Sequence, residues 1–181
     1  MNGRKVLVLR GGAVGDFILT LPVLEALQRE WPGVRVEIVG YPRAAGLAVA
    51  GGLAQRVHSL DDAAMAALFH PGCTPAALPG IDFAACELLL CYLHDPEGIV
   101  RANLASLGAR QVLAGSPLVA DGHAIDHFLR PLRALGFATR GQEYARLQSP
   151  REDADWARGF VQALGEAVVV LHPGSGGPQK N

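Results

Sequence analysis

An α/β fold, with a parallel Rossmann-like sheet carrying helices on both faces, is predicted by three observations. Apolar runs rich in branched side chains alternate with helically spaced segments, roughly five times in succession; that order demands a parallel sheet with crossover helices. Half of the 181 residues are apolar and 18% are charged, enough for a sizeable core. A strand-to-Gly-loop junction occurs twice, after Leu9 and after Leu171, so a second domain of the same kind is expected to begin near the end. The expected division is a first domain over 1–145, then a linker helix and the incomplete start of a second over 146–181.

The first strand is Lys5-Val6-Leu7-Val8-Leu9, running into Arg10-Gly11-Gly12-Ala13-Val14-Gly15-Asp16. Glycines at 11, 12 and 15 carry no Cβ, which permits positive φ and close approach of a ligand to the backbone. A helix is predicted over 16–30, with Ile18, Leu21, Leu24 and Leu27 on one face and Pro22 early, where a missing N–H costs least. Trp31-Pro32-Gly33 ends it, and a strand follows over 34–39. A short helix at 44–50, a short strand at 56–60, and a helix at 63–69 capped by Asp61 come next. Residues 70–81 hold three prolines and two glycines and read as a loop or broken helix. The run 87–93 is a central strand buried on both faces. Pro96 opens a helix to Leu107, a strand covers 111–114, and a helix covers 123–135, closed by Gly136. After a link at 141–150, an amphipathic helix places Trp156, Phe160 and Leu164 at helical spacing, and 167–171 is a new buried strand.

Composition excludes several functions. Net charge is −1, which gives no electrostatic footprint for nucleic acid. Cys73, Cys86 and Cys91 form no CxxC pair; Cys86 and Cys91 read as small buried thiols of a reducing cytoplasm. The first apolar run is too short to span a bilayer, so membrane contact is expected to be peripheral.

The first loop fits nicotinamide binding poorly. A GxGxxG pattern would need glycine where Arg10 stands, Asp16 would repel a pyrophosphate, and Glu37 lies inside its strand rather than at its end. No Gly-Lys-Ser/Thr follows, so it is no P-loop either. On local sequence Asp16 reads equally as a helix N-cap and as a catalytic carboxylate. Arg10 reads equally as an anion-binding cation and as half of a surface ion pair. His123, Asp126 and His127 offer too few convergent groups for a metal site and read as an exposed helix start; no metal is assigned. His94 belongs to a strand-end loop lining the crevice.

Taken together, Arg10-Gly-Gly-Ala-Val-Gly-Asp16-Phe-Ile-Leu-Thr-Leu-Pro22 resembles the N-terminal signature of family 9 glycosyltransferases, the ADP-heptose:lipopolysaccharide heptosyltransferases and their relatives. His172-Pro173-Gly174-Ser175-Gly176 with Lys180 resembles the opening of that family's nucleotide-sugar domain, and His123 with Leu129, Leu132 and Leu135-Gly136 its looser mid-chain pattern. The resemblance implies a two-domain GT-B fold, of which most of the C-terminal half is absent here, so this fragment alone is expected to be inactive. It implies inverting, metal-independent transfer of heptose from a nucleotide-sugar donor to a lipid-linked saccharide acceptor, with no cofactor. It matches Asp16 to the general base and places acceptor over Arg10, Gly12, Ala13, Gly15 and His94. Donor diphosphate falls to Gly174, Ser175, Gly176 and Lys180. Such work would proceed at the cytoplasmic face of a bacterial inner membrane. The rival readings are a non-catalytic ligand-binding module and, less favoured, a nicotinamide oxidoreductase.

Overall fold

The structure is a computed structural model that describes residues 3–138, 144, 146–165 and 167–171. The chain divides into two compact units, Met1–Gln148 and Ser149–Asn181.

In the first unit, five strands form one wholly parallel sheet: β1 (Lys5–Arg10), β2 (Arg35–Gly40), β3 (Arg56–Ser59), β4 (Cys86–Cys91) and β5 (Val112–Ala114), in the order β3-β2-β1-β4-β5. β1 is central, its Val8 standing beside Ile38 of β2 and Leu90 of β4. The predicted α/β architecture is therefore present. Side chains alternate along each strand, so β1 feeds two cores. Val6 and Val8 pack with α2 (Leu21–Glu30), α3 (Pro42–Ala50) and α5 (Ala124–Arg133) on one face. Leu7 and Leu9 pack with α4 (Ile99–Ser106) and the 3₁₀ helix Ala63–Phe69 on the other. The order reverses between β1 and β4, so their carboxyl ends open a crevice at a topological switch point.

Several local expectations are corrected. The single helix over 16–30 is two: α1 (Val14–Ile18) and α2. Pro22 has no N–H for the carbonyl of Ile18 and its ring crowds that turn, so the helix breaks and restarts with Pro22 in its first turn. The segment Ala63–Phe69 is 3₁₀, and its cap is Asp62, which accepts from the Ala64 N–H; Asp61 is not the cap. Pro75–Ala77 adds a short 3₁₀ turn to the expected loop. α4 starts at Ile99 rather than Pro96: Gly98 sits at φ +73°, and the Asp95 carboxylate accepts from the N–H groups of Val100 and Arg101.

In the second unit, α6 (Arg151–Ala163) forms as the spacing predicts, with Trp156 stacked on Phe160 at 5.5 Å. The strand expected at 167–171 is not one: those residues pair with no strand among the described residues. A strand needs a neighbour to take its amides and carbonyls, and none is present there. The glycine loop expected after it, 172–181, lies outside the described residues, as do 141–143 and 145 of the link at 141–150.

Candidate active site

The crevice at the ends of β1 and β4 holds a cleft of about 340 Å³ lined by Arg10, Gly12, Asp16 and His94, among others. Four of the acceptor-side and catalytic candidates thus share one cavity. Ala13 and Gly15 lie in the adjoining loop and first turn.

Asp16 is exposed, in the third position of α1, not at the N-cap, which is Ala13. Its Oδ2 accepts from the Ala13 N–H at 3.1 Å, so the carboxylate reaches back to close the first turn. Alanine has no side-chain acceptor to return the favour, so only this half of a capping box exists. Oδ1 has no partner among the described residues, and Asp16 lines the cleft. The amide of Ala13, one of the residues over which acceptor is expected to lie, is already committed to Asp16.

Gly12 makes that reach possible. Its φ is +93°, and a Cβ there would stand 3.1 Å from Asp16 Oδ2 and 3.2 Å from Asp16 Cβ. Gly15 differs: its φ is not positive and a Cβ would meet open space. It does not shape the loop as expected; it leaves the approach to the first turn clear.

Of the two readings of Arg10, the structure overturns the surface ion pair: the side chain is buried, 3% exposed. The period of two along β1 puts it on the face of Val6 and Val8, under α5, where its guanidinium lies 4.6 Å from the Phe128 ring centroid. Nε donates to Thr20 Oγ1 at 3.1 Å and Nη2 to the Asp16 carbonyl at 3.3 Å. Thr20 Oγ1 in turn donates to the same carbonyl at 3.1 Å. The helix break supplies that acceptor, because the Thr20 N–H bonds Phe17 and leaves the Asp16 carbonyl free. Burial lowers the Arg10 pKa, offset in part by the Asp16 carboxylate and Tyr92; a guanidinium stays charged regardless. No carboxylate pairs with it, and Nη1 has no partner among the described residues. A buried cation on a cleft wall with donors to spare is suited to an anionic group of a ligand.

The residues that hold Arg10 were not singled out by sequence reasoning. Thr20 sat unremarked in the loop signature. Tyr92, fully buried, packs edge-on to Phe128 and donates its hydroxyl to the Phe128 carbonyl; burial pushes its phenol well up, which keeps it a donor. Gly115 makes room for that ring, since a Cβ there would lie 2.6 Å from Tyr92 Cε1.

A second cleft of about 500 Å³ adjoins the first over the ends of β4 and β5, sharing Leu93, His94, Pro117 and Leu118 with it. Cys91 lies on its wall, but burial pushes that thiol up to about 11, so it is no nucleophile at neutral pH. His123 caps α5 by accepting from the Ile125 N–H, and His127 Nε2 contacts the Ser116 carbonyl at 2.9 Å. Glu37, the weak candidate for a cofactor ribose, is buried within 3.1 Å of Lys5 Nζ and 2.7 Å of His58 Nε2. It is unavailable to a ligand, which removes that support for a nicotinamide enzyme.

No protein-family model matches this sequence, and no curated protein matches it. Solved structures do. The glycosyl transferase family 9 structure from Veillonella parvula overlays at TM-score 0.68 and 15% identity, over 99% of this chain and 56% of that one. E. coli heptosyltransferase WaaC with ADP overlays at 0.54 and 15% identity, over 77% of this chain and 50% of that one. The same enzyme with ADP-2-deoxy-2-fluoro heptose gives 0.53, 16%, 77% and 50%. The chain thus has the Rossmann-type fold of these glycosyltransferases and spans about half the length of each.

Proposed function

We propose that the chain is the acceptor-binding domain, with the start of the donor-binding domain, of an inverting family 9 glycosyltransferase. On this reading it moves a heptose from ADP-heptose to a lipid-linked saccharide of the lipopolysaccharide core. The observation that carries the reading is Asp16, an exposed carboxylate pinned through Oδ2 that lines the switch-point cleft, its Oδ1 without a partner among the described residues. The ADP and fluorinated ADP-heptose held by the similar heptosyltransferase support an ADP-sugar donor.

The chemistry follows from that carboxylate. An acceptor hydroxyl gives its proton to Asp16 Oδ1 as its oxygen bonds to the anomeric carbon; the bond from that carbon to the diphosphate breaks on the opposite face, and the nucleoside diphosphate leaves with the electron pair. The spare N–H groups of Arg10 hold an anionic group of the acceptor, with Gly12, Gly15 and His94 around it. The amides of Gly174, Ser175 and Gly176 and the Lys180 ammonium take the diphosphate, so that the leaving charge is met without a metal or other cofactor. A lipid-linked acceptor places this work at the cytoplasmic face of the inner membrane; no described helix is long and apolar enough to cross one.

The test is transfer from ADP-heptose to deacylated lipid-core acceptors by the product of the intact gene, wild type beside Asp16→Asn. The substitution is expected to lower kcat by about 10²- to 10⁴-fold with donor binding unchanged. Undiminished transfer would reduce Asp16 to a helix-start residue and move the chemistry elsewhere.

A further inference from the structure

Phe69 presents a ring to the Asp16 cleft that packing does not account for. It is 43% exposed, while its neighbour Leu68 is fully buried. Were its loop loose, the exposed ring would be unremarkable, but the backbone here is clamped. Asn103 of α4, 4% exposed, donates through Nδ2 to the Leu68 carbonyl at 2.9 Å and the His70 carbonyl at 2.8 Å. Its Oδ1 accepts from the N–H groups of Gly72 and Cys73, both at 3.2 Å. The full hydrogen-bonding capacity of one amide is thus spent on the chain flanking Phe69 and just beyond it. Burying an amide is costly unless every position is bonded, and here the outcome is an exposed phenyl ring held at the cleft.

Tyr41, 39% exposed, lines the same cavity, together with Leu60 and Leu118. The cleft therefore combines an aromatic and aliphatic wall with a polar end at Asp16 and Arg10. A pyranose ring has matching chemistry, with axial C–H groups on its faces and hydroxyls around its rim. A flat nucleobase or nicotinamide would stack as well, but its ring brings no hydroxyl to Asp16 Oδ1.

We infer that Phe69, with Tyr41, stacks on the C–H face of the sugar whose hydroxyl meets Asp16, and that Asn103 is a positioning residue acting through Phe69. The inference rests on the saccharide acceptor proposed above. It makes Phe69 a specificity-determining residue, favouring cyclic sugars over open-chain polyols.

The experiment is an NMR titration of the 181-residue chain with methyl β-glucopyranoside and, separately, sorbitol, reading saturation transfer and ring-current shifts on the ligand protons. Wild type is expected to bind the pyranoside with upfield shifts of its axial ring protons, and to bind sorbitol at least three- to tenfold more weakly. Phe69→Ala, at an exposed position, should fold as wild type, lose the shifts and weaken pyranoside binding by about three- to tenfold, whereas Phe69→Trp should keep both. Equal binding by Phe69→Ala, or equal treatment of the two ligands, overturns the inference. The two proposals separate cleanly. Ring-current shifts retained in an Asp16→Asn protein that still transfers would sink the catalytic reading and leave stacking intact. Lost transfer in Asp16→Asn beside unaltered binding in Phe69→Ala would do the reverse.

Discussion

Residues 5–9 and 167–171 carry almost the same side chains, Lys-Val-Leu-Val-Leu and Ala-Val-Val-Val-Leu, and each leads into a glycine-bearing stretch. The first becomes β1, with Val6, Leu7, Val8 and Leu9 at most 1% exposed. The second stays outside any sheet, with Val169, Val170 and Leu171 at 83%, 84% and 83%. Local sequence does not separate them. What does is that β1 has β2 on one edge and β4 on the other, with helices over both faces, while 167–171 has no neighbouring strand among the described residues. Branched apolar side chains record how well a segment fits between neighbours rather than a preference of its own backbone. The functional consequence is that the first junction is rigid: its loop is fixed by a strand that cannot move without disrupting two cores.

That contrast predicts the largest difference between matched substitutions. Leu7→Ala should destabilise the first unit by about 2–5 kcal/mol, through lost burial and the cavity left under α4. Val170→Ala should change stability by at most about 0.5 kcal/mol. Urea unfolding of both variants reads this directly, and a comparable loss in Val170→Ala would mean that 167–171 is packed after all.

A smaller effect belongs to the polar group inside the same sheet. Burial alone would raise the Glu37 pKa, but hydrogen bonds from His58 and Lys5 outweigh it, and the carboxyl is held below its usual range. A carboxyl lowered in the folded state gives stability that is complete above its unfolded value, about 4.3, and is lost as pH falls through the folded one. Glu37→Gln should therefore cost roughly 1–3 kcal/mol at neutral pH, and the gap to wild type should close on acidification. A gap that stays constant from neutral pH to below the carboxylate range would show that the ion pairs contribute nothing.

How far the sequence could be read follows the same division. The alternation of strands and helices was legible because each period reports which face is buried, and β1 was legible because Val6, Leu7, Val8 and Leu9 form an unbroken apolar run. The buried state of Arg10 was in principle legible too: it falls on the parity of Val6 and Val8, so the strand's own period turns it under α5. What could not be read was its company. Thr20 and Phe128 stand 10 and 118 residues further along the chain and meet Arg10 only through the helix break at Pro22 and the placement of α5 against the sheet. Asn103 is a similar case, since nothing local marks one asparagine in a helix as the clamp for a loop 30 or more residues earlier. Asp16 was legible as a carboxylate at the crevice, though its place in the first turn, third rather than cap, depends on where α1 begins.

The smallest effects test the loop that sets the first junction apart. Gly12 and Gly15 look equivalent in sequence, and the structure makes them opposites. An alanine at 12 must hold φ near +93° and place its Cβ against the Asp16 carboxylate, so Gly12→Ala is expected to cost about 1–2 kcal/mol and to push Asp16 off the Ala13 amide. An alanine at 15 enters a helical position with open space around it, so Gly15→Ala should be neutral or stabilising by up to about 1 kcal/mol. Thermal unfolding measures both stabilities, and transfer measured alongside shows whether the loop's shape or merely its smallness matters. Transfer lost in Gly12→Ala with stability nearly intact would tie the carboxylate's position to the backbone turn beneath it. Equal losses in both variants would mean instead that the ligand needs bare backbone along the whole of 11–15, and that the positive φ at Gly12 is incidental to the chemistry.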